Sequence, residues 1–318
     1  MKQVNEDSYL GDLIRNDGKN TSSLKNRVSR GLGCISQIIN MLERVSFGKY
    51  YFQIALSFRE AIFLNSILTN MEVWYGLRSY EVEELERLDR MLLCQILALP
   101  KTTPSEALFL ETGCLNIGTI VKMRRVNYLQ YLLKCDKNQM LSKFFKTQFS
   151  FPVKDDWSEQ VRQDLVDFGI KEDLEWIKTT SVYKFRKLVK KCGRECALDK
   201  FCEQKRKHSK LQLLEYDQLK IQGYLKNKDI SVTQAQTLIK FRTRMANYEN
   251  NYKGTSTNQR CKLCQNHDDN QEEIYICDFN LQNLNLCGKY EDLFKSDVDI
   301  SVIKSLEALY KLREDKLS

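Results

Sequence analysis

The sequence has few of the residues that interrupt helices. Its 318 residues include only thirteen glycines and three prolines, Pro100, Pro104 and Pro152. Proline breaks a helix because it lacks the backbone N–H and its ring clashes with the preceding turn. The scarcity of both residues excludes frequent interruption of helices and predicts a mainly α fold.

Long apolar runs are also lacking. No stretch of eighteen consecutive apolar residues occurs, and a membrane-spanning helix needs about that many. The N-terminal residues contain no apolar segment of the kind that marks a secretory signal. We therefore expect a nuclear or cytoplasmic protein with no membrane partner and no small-molecule substrate.

Cysteine, in contrast, is plentiful. The eleven cysteines are an odd number in a long chain, whereas disulfide frameworks are typical of short secreted proteins with an even count. We therefore expect reduced thiols, some of which can hold a metal ion.

The basic charge is concentrated in one stretch. The chain has a formal net charge of +8, and residues 183–210 contain eleven Lys or Arg against three acids, so this stretch holds the whole excess. A focused basic patch attracts polyanions such as nucleic acids. A solvated helix face without a partner explains the pattern equally well at this stage.

Apolar spacing predicts helices along most of the chain, because apolar residues recur every three or four positions. An apolar run over residues 8–15, followed by Asn16-Asp17-Gly18, predicts half of a β-hairpin. The predicted helices cover residues 24–45, 50–68, 79–97, two patterns within 105–135, 138–168 with an interruption at 151–152, 171–177, 183–210, 211–225, 232–245, 289–295 and 299–313. The first three have short joins, as in a compact bundle.

Four patterns, in one order, are similar to the region downstream of the catalytic motifs in LINE-type (non-LTR) retrotransposon reverse transcriptases. The patterns are Tyr9-Leu10-Gly11 followed by Asp17-Gly18; Trp74-Tyr75-Gly76 before a Leu-rich helix that ends at Leu99-Pro100; residues 103–113 followed by Arg124-Arg125; and residues 238–245 followed, after a polar spacer, by Cys261-Lys262-Leu263-Cys264. They cover roughly residues 9–135 and 238–277.

The resemblance implies five consecutive segments in a mainly α chain. Residues 1–20 would form a primer-grip-like hairpin, 21–100 a three-helix thumb, 101–246 a helical C-terminal domain with the basic helix 183–210, 247–290 a cysteine knuckle, and 291–318 a C-terminal helix. The implied function is to hold RNA or DNA by phosphate contacts. The expected nucleic-acid-binding residues are Lys25, Arg27, Arg30, Lys184, Arg186, Lys187, Lys190, Lys191, Arg194, Lys240, Arg242 and Arg244.

The carboxylate pair that this polymerase family uses to hold magnesium is not expected in this chain. Two metal ions are needed to activate the primer hydroxyl and to stabilise the leaving group. The pair Asp155-Asp156 follows Lys154 and reads better as a helix cap than as a catalytic motif. We therefore expect no enzyme activity from the chain alone, no magnesium site, and a palm domain acting in trans as a partner.

Cys261-x2-Cys264 begins a zinc-knuckle pattern that the family completes with His and Cys. Cys277 stands where the last cysteine belongs, but Glu272 or Glu273 replaces the usual His. His267 or the Glu273 carboxylate can complete a tetrahedral zinc site with Cys261, Cys264 and Cys277. A knuckle that has lost its metal, with free thiols, is the alternative.

Two further alternatives concern the basic helix. Cys192, Cys196 and Cys202 with His208 could form a second metal cluster, although buried cysteines that act as small apolar residues explain them better. The helix could also belong to a protein-interaction module that binds an acidic protein partner rather than nucleic acid.

Overall fold

The computed structural model describes residues 6–9, 12–15, 20–44, 48–74, 78–136, 138–151, 153–154, 156–248, 260–295 and 297–317. Several sequence predictions lie outside the described residues: Leu10 and Gly11 of the primer-grip-like motif, the turn residues 16–18, Tyr75 and Gly76, Pro152, Asp155 and most of the polar spacer before Cys261. Within them, no helix combines the length and the apolar character that crossing a membrane requires.

The chain is mainly α-helical, as the sequence predicts. Two four-residue strands, β1 (Glu6–Tyr9) and β2 (Asp12–Arg15), pair antiparallel with Tyr9 opposite Asp12. The α-helices are α1 (Thr21–Arg44), α2 (Tyr51–Phe58), α3 (Asn65–Leu68), α4 (Ser79–Ile96), α5 (Ser105–Thr112), α6 (Ile117–Lys134), α7 (Met140–Ser150), α8 (Trp157–Asp167), α9 (Leu174–Thr179), α10 (Val182–Arg206), α11 (Gly223–Lys226), α12 (Val232–Arg242), α13 (Asp278–Asn283) and α14 (Ile300–Leu317).

Local sequence explains where several helices begin and end. Ser231 begins α12 with a capping box. Its hydroxyl accepts a hydrogen bond from the backbone N–H of Gln234, and the Gln234 side chain accepts one from the backbone N–H of Ser231. Gly113 ends α5 in the left-handed region, with φ of +67°, which glycine adopts without strain. A π-helical turn, Arg59–Leu64, joins α2 to α3, so the second predicted helix is continuous but not regular.

One predicted helix is wrong. Residues 211–225 form a 3₁₀ turn at Ser209–Leu211, an irregular connection, and then only the single turn of α11. The apolar residues Leu211, Leu214 and Leu219 of this stretch are each buried, although no helical backbone lies between them. The run of eight residues read as half of a hairpin also differs, because it contains the end of β1 and the whole of β2.

The chain divides into two compact units, each assembled from three separate stretches. The first unit comprises residues 1–37, 58–89 and 115–200, and the second comprises residues 38–57, 90–114 and 201–318. The consecutive five-segment division taken from the resemblance remains a prediction.

In the first unit, helices converge closely at Gly31 of α1. A Cβ atom at this position would lie 2.9 Å from a methyl group of Leu88 in α4 and 3.1 Å from one of Ile67 in α3. Glycine permits this approach without a shift of the Leu88 and Ile67 side chains. A second part of this unit packs α6 against α7, α8 and α9 around a core that includes Phe145, Trp157 and Phe185.

In the second unit, α12 packs against α14. Leu238, Ile239 and Phe241 of α12 are buried, as are Ile303, Leu306 and Leu309 of α14. The edge of the Phe241 ring meets Tyr310, with ring centroids 5.9 Å apart. These buried aliphatic and aromatic side chains support the cysteine-containing segment that follows residue 260.

Candidate nucleic-acid interface and metal centre

Helix α10 has one apolar face and one cationic face. Phe185, Val189 and Ala197 are buried, and the first two belong to the core of the first unit. At 100° per residue Phe185 and Val189 lie within about 40° of each other on one side of the helix, whereas Ala197 lies about 80° further round. The predicted cations Lys184, Arg186, Lys187, Lys190 and Lys191 are exposed, and Arg194 is half-buried. Core packing therefore holds the helix so that its cations face solvent.

One cation of this face forms an exposed ion pair. Lys191 Nζ lies 3.8 Å from a carboxylate oxygen of Glu195 one turn later, and both side chains are at least 60% exposed. An exposed pair of this geometry contributes about 0.5 kcal/mol at most. Lys191 therefore remains available to a polyanion.

Of the three cations predicted on α1, the structure leaves two in solvent. Lys25 and Arg30 are exposed. The prediction that Arg27 binds nucleic acid is wrong, because its side chain is buried. Its Nη1 donates to the carbonyl oxygen of Ile67 at 2.7 Å and its Nη2 to that of Thr69. Its guanidinium also lies 4.5 Å from the ring centroid of Trp74. Arg27 therefore binds the end of α3 and does not face a phosphate backbone.

The cations predicted around the end of α12 have a similar outcome. The prediction that Arg242 binds nucleic acid is wrong, because its side chain is 1% exposed and its Nε donates to Glu111 Oε1 at 2.7 Å. Arg244 is half-buried and forms an ion pair with Glu272. Lys240 is half-buried, with its ammonium 5.7 Å from the ring centroid of Tyr310. Arg242 thus stabilises the interior of the second unit.

Glu111 is the centre of that buried network. The hydroxyls of Tyr216 and Tyr224 each donate to a Glu111 oxygen at 2.9 Å. Burial, followed by the negative charge of Glu111, raises the pKa of both tyrosines well above the usual value. Arg242 donates further to the carbonyl oxygen of Leu293 at 2.7 Å. Both carboxylate oxygens and the guanidinium therefore have partners, as buried charges require.

Three of the four predicted metal ligands lie together. The sulfur atoms of Cys261, Cys264 and Cys277 are all within 4.8 Å of one another, and this trio can hold a metal ion. None of the three cysteines is in a disulfide. Cys261 and Cys277 are buried, and their sulfurs are 3.9 Å apart. Tetrahedral zinc with bonds of about 2.3 Å to sulfur requires about 3.8 Å between ligand sulfurs.

A tight turn shapes the first two ligands. Gln265 adopts φ of +60° and its N–H donates to the carbonyl oxygen of Cys261 at 2.9 Å. Burial raises the pKa of the Cys264 thiol, but the backbone N–H groups of His267 and Asn266 donate to its sulfur and lower the pKa overall. Burial raises the pKa of Cys277 to about 12. The turn therefore favours the thiolate at Cys264, the form that binds metal.

The fourth predicted ligand, His267, lies beside the trio without joining it. It lines the same small cavity as Cys261, Cys277 and Glu273, and its Nδ1 is 3.6 Å from a carboxylate oxygen of Glu273. Its imidazole is not within the group of mutually close ligand atoms. Glu272, one of the two residues in place of the usual His, instead pairs with Arg244.

Two minor sequence predictions can be compared with the structure. Asp156 caps α8, because its side chain accepts from the backbone N–H of Glu159 at 2.8 Å, so the interpretation of this residue as a cap is confirmed. Cys192 and Cys196 are half-buried against the core of the first unit. In the part of the chain that the structure describes, the trio Cys261, Cys264 and Cys277 is the only cluster of three or more side chains that could bind a metal ion.

One exposed aromatic side chain on the cationic face was not predicted as functional. Tyr183 in the first turn of α10 is 75% exposed. The sequence spacing could have identified Tyr183. This residue precedes Lys187 by four residues and Lys190 by seven, so it shares their face of the helix.

No protein-family model, no curated protein and no solved structure matches this chain. The geometry of the cationic face and of the cysteine trio is therefore the basis for assigning a function.

Proposed function

We propose that this chain holds nucleic acid, in the manner of the thumb and C-terminal region of a LINE-type retrotransposon reverse transcriptase, and does not itself catalyse polymerisation. The observation that carries the proposal is the cationic face of α10. Its exposed lysines and arginines are fixed in solvent by the burial of Phe185 and Val189 on the opposite side. A row of exposed cations binds phosphates without reading base sequence.

The N-terminal part of the chain is consistent with this proposal. Lys25 and Arg30 are exposed on α1, the helix that a thumb would lay along a primer–template duplex. The close approach of three helices at Gly31 gives that helix a firm support. In this proposal, β1 and β2 correspond to the primer-grip hairpin, and a palm domain acting in trans would supply the catalytic carboxylates.

The salt dependence of binding tests this function. We expect an RNA or DNA oligonucleotide to bind the chain with a log K that falls linearly with log salt concentration, with a slope of about −3 or steeper if four or more phosphates are contacted. Such a slope arises because each contact releases condensed counterions. Fluorescence anisotropy of a labelled oligonucleotide between roughly 50 and 200 mM salt would measure it.

Polyglutamate, an unstructured polyanion, is the comparison ligand for the alternative of an acidic protein partner. Nucleic acid should bind more tightly than polyglutamate at every salt concentration. Equal affinity for the two polymers, or a slope near zero for nucleic acid, would contradict the proposed function. Extension of a primer by this chain alone, with magnesium and template, would contradict its non-catalytic part.

We further propose that zinc is the metal of the cysteine trio and has a structural role in the knuckle. Cys261, Cys264 and Cys277 would hold it, and His267 is the nearest imidazole for the fourth position. The support is the 3.9 Å separation of two sulfurs and the N–H groups that stabilise the Cys264 thiolate. A bound zinc ion would close the polypeptide between residues 261 and 277 into a stable loop.

The double variant Cys261→Ser, Cys264→Ser tests the metal site. We expect about one zinc per wild-type chain and none in the variant, because a hydroxyl does not replace a thiolate at zinc. Elemental analysis of protein purified under reducing conditions measures this content. The matched control, Cys34→Ser with Cys287→Ser, removes two other free cysteines and should keep the metal. A wild-type chain that contains no zinc would show that the trio is a set of free thiols.

A further inference from the structure

The cationic face of α10 ends in an exposed aromatic ring. Tyr183 lies on the same face as Lys187, Lys190 and Arg194, which follow it at four, seven and eleven residues. Successive members of this row are separated by about 5 Å along the helix axis. A single exposed aromatic residue is common on protein surfaces and needs no explanation. Its position at the end of a row of cations gives it a defined chemical context.

Cationic and aromatic side chains have different preferences among nucleic acids. Cations bind the phosphates of a duplex and of a single strand alike. Aromatic rings add affinity only where bases are unstacked, because the faces of paired bases are covered by their neighbours within a duplex. Exposed aromatics combined with a positively charged surface are the usual basis of single-strand binding without sequence preference.

We infer that the N-terminal end of α10 is a binding site for single-stranded nucleic acid, in which Tyr183 stacks on a base while Lys187 and Lys190 bind the backbone. This inference rests on the proposed function and adds to it the class of ligand that the cationic helix prefers. Single-stranded RNA and single-stranded DNA share this chemistry.

The variant Tyr183→Ala tests the stacking contact. Tyr183 is 75% exposed, so its removal should leave the fold intact. We expect the affinity for an oligothymidylate or oligouridylate of about twelve residues to fall by roughly 5- to 100-fold, the usual loss for one stacked base. Affinity for a blunt duplex should change less than about twofold, and the salt slope should not change, because no phosphate contact is lost. Comparing the two oligonucleotides shows whether the site prefers RNA or DNA.

Two controls separate stacking from a general effect. The variant Tyr80→Ala removes a tyrosine that is 47% exposed on another helix of the same unit and should bind as the wild type does. An abasic strand keeps the phosphates but has no bases to stack. Wild type and Tyr183→Ala should therefore bind it equally.

The outcomes distinguish this inference from the function on which it rests. Equal affinity for single strand and duplex, with no effect of Tyr183→Ala, would overturn the single-strand site. The proposed function would then still stand if binding remained salt-dependent. Failure to bind any nucleic acid would overturn both. Equal binding of polyglutamate and of a single strand would assign the cationic face to an acidic protein partner.

Discussion

Replacing Arg242 with Met should lower the free energy of unfolding by about 3–5 kcal/mol, the usual effect of leaving one member of a buried ion pair without its partner. Arg242 is 1% exposed and Glu111 is fully buried. Without the guanidinium, only the hydroxyls of Tyr216 and Tyr224 would hydrogen-bond to the Glu111 carboxylate. Urea denaturation followed by circular dichroism would measure the change.

The same variant separates a structural role from a role in binding. Under conditions in which Arg242→Met is folded, its affinity for nucleic acid should equal that of the wild type, since the side chain does not reach solvent. Lys240→Met is the matched control, because it removes a half-buried cation two residues away and should cost less than about 1 kcal/mol. A variant that unfolds like the wild type but binds nucleic acid weakly would return Arg242 to the interface.

A double-variant cycle tests whether the two charges act as a pair. Glu111→Leu combined with Arg242→Met removes both buried charges together. The combined loss of stability should be smaller than the sum of the two single losses, because neither charge is then left without its partner. Additive losses would mean that Glu111 and Arg242 stabilise the second unit independently.

Helical periodicity predicted most of the elements because their burial is one-sided. Residues 24–45 were predicted as the first helix, and α1 spans Thr21–Arg44. Residues 79–97 were predicted as the third, and α4 spans Ser79–Ile96. The basic helix was placed at 183–210, and α10 ends at Arg206. These helices have regular apolar stripes, which sequence spacing shows directly. The stretch 211–225 lacks a continuous helix although it has buried leucines, because burial alone does not require helical backbone.

The roles of individual arginines could not be predicted from local sequence. Arg27 and Arg242 were expected at the nucleic-acid interface on the basis of the resemblance to a reverse-transcriptase thumb and C-terminal region. Their partners are remote in sequence: Arg27 donates to a carbonyl forty residues away, and Arg242 binds a carboxylate 131 residues away. Nothing in the spacing around either arginine indicates such a partner. In contrast, the cysteine trio was found from spacing because Cys261 and Cys264 are close in sequence.

Neutralising the cationic face of α10 should have the largest effect on binding. We expect the variant with Gln at Lys187, Lys190, Lys191 and Arg194 to lose about 100- to 1000-fold in affinity near 0.1 M salt, since each phosphate contact contributes about 0.7–0.9 to the slope of log K against log salt. The slope itself should become shallower by about 3. Helix content should not change, because Phe185, Val189 and Ala197, which anchor α10, are untouched.

A control with the same change in charge is available on the second unit. Lys289, Lys304, Lys311 and Lys316 are exposed, and replacing all four with Gln lowers the net charge equally. If α10 is the interface, this control should bind nucleic acid within a few-fold of the wild type and keep most of its salt slope. If net charge alone attracts the polyanion, both quadruple variants should lose affinity to the same extent. Unchanged binding in the α10 variant would assign the contact to Lys25 and Arg30 of α1 or to Lys240 and Arg244 beside the knuckle, because these are the predicted nucleic-acid-binding residues outside α10 that are not fully buried.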